Sequence, residues 1–110
     1  MRQLEENMTE PYSVKIDETA FAEIDAVLCS LRQYSEQAAE RLADAIMHTI
    51  SSLDEFPFRY QELPIKKRPM LSLRRAVILN RYYLIYSVQE KTVVIERFID
   101  AHRGFRRTLR

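Results

Sequence analysis

The side chains in this chain that could carry chemistry are cations, and most stand in its second half. Lys66, Lys67 and Arg68 form a run between two prolines, and Arg74 and Arg75 sit side by side in a β-patterned stretch. His102 and Arg103 follow near the end, with Phe105, Arg106 and Arg107 just beyond them. Guanidinium and ammonium groups hold phosphate oxygens and can spread the charge that builds on a phosphate under attack. Cutting a phosphodiester also needs a proton taken and a proton given, and His102 beside Arg103 is the candidate acid or base. The competing reading makes His102 an exposed residue of a basic tail and Arg103 an ion-pair partner of Asp100 or Glu96.

Composition removes several other chemistries. Gly104 is the only glycine, so a glycine-rich loop cradling a nucleotide phosphate cannot be built. Two histidines and one cysteine give no zinc spacing, and neither a metal nor an organic cofactor is expected. Cys29, alone, cannot form an intramolecular disulfide, and its apolar helical neighbours mark it as an inert core thiol. No apolar run reaches the length of a membrane span and no signal pattern opens the chain, so a cytoplasmic protein without membrane contact is expected.

Charge is divided by position. Residues 1–57 carry four basic and twelve acidic side chains, a net of −8. Residues 58–110 carry thirteen basic and four acidic ones, a net of +9. Asymmetry of this kind points towards a polyanionic partner for the basic half, the competing reading being a solvated protein whose charges mostly meet each other.

The elements that must position these groups follow from periodicity. Residues 1–10 lack any period and read as a loose tail, with Met8 a second possible start; 11–110 read as one domain. Tyr12 to Asp17 alternates apolar and polar, the mark of a short strand. Ala20, Ile24, Val27 and Leu31, with Phe21 and Leu28 beside them, predict a helix over about 18–33, capped by Asp17 or Thr19. Ser35 opens a second, with Leu42, Ile46, Thr49, Ile50 and Leu53 as its stripe and Phe56-Pro57 as its end. His48 lies beside that stripe as a surface or boundary residue. Residues 58–70 read as a loop with a basic patch. Three strands are predicted at about 71–79, 82–88 and 92–99, joined at Asn80-Arg81 and at Gln89-Glu90-Lys91. The sum is an α+β fold: an N-terminal strand, an antiparallel two-helix hairpin, then a three-stranded antiparallel meander with the helices on one face. On this reading the meander displays its arginines on the face left uncovered.

The order of these motifs is familiar. A Tyr-x-Val-x-Ile strand, Leu53 to Pro57 closing a helix, Tyr83 to Val88 reading Tyr-Leu-Ile-Tyr-x-Val, then Val-Val-Ile-Glu-Arg-Phe-Ile and Arg103, together resemble the RelE/ParE superfamily. Its members are small cytoplasmic toxins of bacterial type II toxin–antitoxin (plasmid stabilisation) systems, and the resemblance covers about residues 12–105. It implies growth inhibition and a cognate antitoxin that wraps the toxin with a segment folding on contact, in a hetero-oligomer. The RelE-like branch cuts messenger RNA on the ribosome without a metal; the ParE-like branch acts on DNA gyrase.

The site residues carried over are incomplete. Tyr83 stands where RelE-like toxins place a catalytic arginine on the matching strand. Arg103 matches the arginine near the end of the last strand, and Phe105 stands near the position of a tyrosine in several ribonucleases. The ParE-like pattern His-Gly-Arg-Arg-Asp is met only at Arg103. The missing arginine favours the ParE-like branch with gyrase as target. The alternatives are a ribosome-dependent ribonuclease using Arg74, Arg75, His102 and Arg103, and an inactivated or basic-faced binding module. Lys66, Lys67, Arg68, Arg74, Arg75, Tyr83, Phe105, Arg106 and Arg107 are the candidates for holding phosphate or target.

Overall fold

The computed structural model describes residues 11–64 and 71–102. β1 (Ser13–Ile16) leads into α1 (Glu18–Arg32) and α2 (Glu36–Ser52). A two-residue strand β2 (Gln61–Glu62) precedes the meander β3 (Ser72–Ile78), β4 (Tyr82–Gln89) and β5 (Thr92–Asp100). Both helices start on oxygen caps: Asp17 accepts the Thr19 N–H at 3.0 Å and Ser35 accepts the Ala38 N–H at 3.0 Å. Each cap satisfies a donor that the first helical turn leaves orphaned.

The five strands form one sheet in the order β1-β5-β4-β3-β2. β3, β4 and β5 pair antiparallel, as the short turns require, whereas β1 pairs parallel to β5. A parallel pair cannot be closed by a tight turn, and here both helices and the three strands β2, β3 and β4 lie between its members along the chain. Ala20, Leu42 and Ile46 of the helices pack on Ala76, Ile78, Leu84, Tyr86, Val88, Val93, Ile95 and Phe98 of the sheet. Each large aliphatic side chain so buried contributes about 1.5–3 kcal/mol.

β5 changes parity part-way along. Its register against β4 slips between Ile85 and Tyr86, leaving Glu96 and Arg97 opposite Ile85. Before this bulge Val93 and Ile95 face the core; after it Phe98 does. The extra residue lets Arg97 turn away from the core that strict alternation would send it into.

Several expectations need correction. α2 ends at Ser52, not near Phe56-Pro57. Beyond it the Asp54 carbonyl accepts the Tyr12 N–H at 2.8 Å and the Pro57 carbonyl accepts the Tyr86 hydroxyl at 2.8 Å, which hold the chain in turns. Within the stretch read as a loop, Gln61 and Glu62 pair with Arg75 and Arg74. The β3–β4 turn centres on Leu79-Asn80, one residue early: both have positive φ, 53° and 58°, and the Ile78 carbonyl accepts the Arg81 N–H at 3.1 Å. Cys29 is exposed rather than a core thiol, because α1 buries only its Ala20 side and turns Asp25 and Cys29 outwards. Phe21 likewise points away from the stripe and is exposed. His48 is exposed, as its place beside the stripe implied.

Candidate functional site

Adjacent residues of a strand point to opposite faces, so Arg74 and Arg75 cannot serve one site from the same side. Arg74 pairs across to Tyr86 on the helix-covered face. Its guanidinium donates to the Phe58 carbonyl at 3.2 Å and the Tyr60 carbonyl at 2.7 Å, and its Nε donates to Ser72 Oγ at 2.9 Å. It also lies 3.7 Å from Glu62 and 5.0 Å from the Phe58 ring centroid. Arg74 therefore ties the segment after α2 to the sheet, and its hydrogen-bonding capacity is spent inside the protein.

Arg75 stands on the uncovered face. Its register partners are Ile85 on β4 and Gln61 on β2, and its guanidinium lies over the Tyr83 ring with Cζ 4.6 Å from the centroid. Nη2 makes a long 3.5 Å contact with Gln61 Oε1, while Nε is buried and has no hydrogen-bond partner among the described residues. Arg74, Arg81 and Arg97 each have a carboxylate, but no described carboxylate pairs with Arg75. Stacking on an aromatic ring holds a guanidinium flat without neutralising it.

The other described arginines of the meander are engaged. Arg97 binds Glu23 of α1 through Nε and Nη2, the latter at 2.7 Å, and the Phe98 N–H donates to the same carboxylate at 2.8 Å. β1 ends at Ile16, leaving the edge of β5 open beyond Ile95, and Glu23 fills the gap. Burial pushes the Glu23 pKa up, but the Arg97 hydrogen bond, the Phe98 N–H and the Arg97 charge outweigh it and hold the group below its ordinary value. Arg81 pairs with Asp100 at 3.2 Å, and Asp100 also accepts the His102 N–H at 3.0 Å. Burial opposes ionisation of Asp100, yet Arg81 and the His102 N–H bring its pKa below the carboxylate norm.

The contiguous cationic face expected of the meander is not found among the described residues. The uncovered face carries Leu73, Arg75 and Val77 on β3, Tyr83, Ile85 and Ser87 on β4, and Val94, Arg97 and Ile99 on β5. It is largely apolar, with one guanidinium lacking a carboxylate. A carboxylate shares the surface, because Ser87 Oγ donates to Glu96 at 2.8 Å. Val77, Ile85 and Ile99 escaped the sequence reading as site residues. Two-residue alternation puts Val77 on the side of Arg75 and Ile85 on the side of Tyr83, whereas Ile99 had no such signal because the bulge in β5 reverses its parity.

His102 is exposed and lies two residues past Asp100, the row of Tyr82 at the far end of the sheet. Arg75 lies opposite Ile85, three residues along β4 from Tyr82, or about 10 Å at 3.3 Å per residue. The register thus brings Arg75 to Tyr83 but neither to Arg74 nor to His102. Lys66, Lys67, Arg68, Arg103, Phe105, Arg106 and Arg107 lie outside the described residues, as does the expected N-terminal tail. Among the described residues no group of three or more His, Cys, Asp or Glu side chains could hold a metal, and no helix is long and apolar enough to cross a membrane.

Comparison with known proteins then identifies the class. No curated protein matches significantly. Three solved structures share the fold at low identity. The chromosomal ParDE toxin–antitoxin system of P. aeruginosa aligns with TM-score 0.64 at 17% identity, covering 83% of this chain and 97% of that one. The archaeal RelE–RelB complex of Pyrococcus horikoshii OT3 gives 0.57 at 20%, covering 86% and 99%. The toxin–antitoxin complex RelBE2 of Mycobacterium tuberculosis gives 0.52 at 20%, covering 82% and 91%. Residues 14–105, from β1 to beyond β5, match the family described as the ParE toxin of the type II toxin–antitoxin system parDE. On the strength of that match along nearly its whole length, the chain belongs to the ParE toxin family of type II toxin–antitoxin systems.

Proposed function

We propose that the protein is a cytoplasmic growth-inhibiting toxin, neutralised by a cognate antitoxin, that acts by binding a protein target, DNA gyrase, rather than by cutting RNA. The observation that supports this reading is the content of the sheet face away from the helices, which among the described residues holds one guanidinium without a carboxylate, over a tyrosine ring and set among aliphatic side chains. A surface of that kind suits a protein, whereas gripping a nucleic-acid backbone takes several cations at once. The family match supports the toxin role, and the similar structures, which are toxin–antitoxin assemblies, support the partner.

The ribonuclease reading draws on the likeness to RelE-containing complexes and on Arg75 as a phosphate ligand. It is disfavoured by the placement of its parts. Tyr83 occupies the position of the catalytic arginine, Arg74 is consumed by backbone carbonyls, and His102 stands at the far end of the sheet. Purified gyrase titrated with the protein decides the matter. Loss of supercoiling at stoichiometric toxin supports the proposal. Undiminished supercoiling together with codon-phased cuts in translated messages would replace it with the ribonuclease, and neither effect would point to a binding module without toxicity.

A further inference from the structure

We propose that the uncovered sheet face is a docking surface for an antitoxin segment that sets one carboxylate on Arg75 and aliphatic side chains on Val77, Ile85 and Ile99. The inference rests on the antitoxin partnership proposed above and specifies the chemistry of the segment.

Four features lead to it. Among the described residues the Arg75 guanidinium has no carboxylate, although Arg74, Arg81 and Arg97 each have one. Its Nε is shut in without a partner, so an incoming oxygen pair meets the Nη1/Nη2 end, a two-pronged arrangement that a carboxylate matches. The Tyr83 ring beneath fixes the plane of the group, so little freedom remains to be lost on binding. Around it the face is aliphatic, with Val77 49% exposed and Ile85 and Ile99 half-buried. Apolar surface of this sort gains by being covered, and a guanidinium surrounded by it forms a stronger pair once water is excluded.

The same features argue against a polyanion. Glu23 removes Arg97 from play and Glu96 adds a negative group beside Ser87. A nucleic-acid strand, charged at every phosphate, would meet one uncompensated cation on the described face and repulsion from Glu96 at several phosphates, whereas a single carboxylate seated on Arg75 meets that repulsion once. A peptide with a single acidic residue flanked by aliphatic ones meets a complementary surface.

The test is calorimetric titration of the full chain with the purified product of the open reading frame adjacent to its gene. Arg75→Ala is expected to weaken the complex at least about 30-fold, the usual consequence of removing one member of a desolvated charge pair. Arg75→Lys recovers only part of the loss, because an ammonium lacks the planar fork. Arg59→Ala, at an exposed cation outside this face, binds like wild type. Val77→Glu, at a half-exposed site and with its fold checked by circular dichroism, sets a like charge against the incoming carboxylate and weakens binding at least about 10-fold. Binding by Arg75→Ala and Val77→Glu within about twofold of wild type overturns this inference alone. Failure of the wild-type chain to bind overturns the antitoxin partnership, and this inference with it. Tight binding of a uridine decamer that is lost in Arg75→Ala would instead assign the face to nucleic acid and overturn the inference.

Discussion

Glu23 is the residue whose removal tests the architecture of the sheet face most sharply. Its carboxylate stands in for a missing strand: it accepts the Phe98 N–H at 2.8 Å where β5 outruns β1, and it holds Arg97 at 2.7 Å. In Glu23→Ala the Phe98 N–H loses its acceptor in a part-buried position, a cost of about 1–2 kcal/mol. The ion pair adds little more, because the Arg97 and Glu23 side chains are 51% and 26% exposed and water screens them. Its share is about 0.5 kcal/mol, for a total near 2 kcal/mol. Glu23→Gln keeps an oxygen for the Phe98 N–H and is expected to lose about 1 kcal/mol. Urea denaturation of wild type, both variants, Arg97→Ala and the double variant separates the pair energy from the edge bond. The pH dependence has a definite sign. The folded pKa of Glu23 is depressed, so its contribution is present above the unfolded value of about 4.3 and fades as pH falls through the lower folded value. The gap between wild type and Glu23→Ala should therefore be full at pH 7 and shrink in acid. Equal stability of the two at pH 7, or a gap that does not change with pH, refutes the reasoning.

Tyr86→Phe strips the buried hydroxyl that donates to the Pro57 carbonyl and should cost about 1–2 kcal/mol in the same denaturation assay, with little change in slope. Burial raises the Tyr86 pKa to about 12, so this tyrosine should be the last to show phenolate absorbance in an alkaline titration. Leu79→Asn suits the positive φ of 53° at a turn position and should raise stability by about 0.5–1 kcal/mol, read as a higher melting temperature. Cys29, exposed on α1, should react with a thiol reagent without denaturant; a thiol silent until unfolding would contradict its placement.

The sequence carried the elements better than their relations. The β-branched and aromatic content of the run at 82–88 and the three- and four-residue spacing of Leu42, Ile46 and Thr49 are local signals, and both elements formed where those signals lay. The parallel pairing of β1 with β5 joins residues about eighty apart in sequence, and no local pattern announces it. The bulge at Glu96-Arg97 is equally silent, since strict alternation would have turned Arg97 inwards with Val93 and Ile95. Cys29 was misread because apolar neighbours along the chain are not neighbours around a helix. At the candidate site, composition disclosed the arginines but not their occupations. Glu23 claims Arg97 from a different element, and backbone carbonyls claim Arg74. Only the register of β3 against β4 separates Arg75, with Tyr83 beside it, from the arginine next to it in sequence.

The central claim is that this ParE-family chain poisons a cell unless its partner covers it. Inducible expression in a bacterial host, alone and together with the adjacent open reading frame, reads that directly in viable counts. The account predicts a fall in viable counts on induction of the chain alone and full recovery on co-expression. Unimpaired growth with the soluble wild-type protein present in the lysate, or arrest that the neighbouring gene cannot relieve, would contradict it.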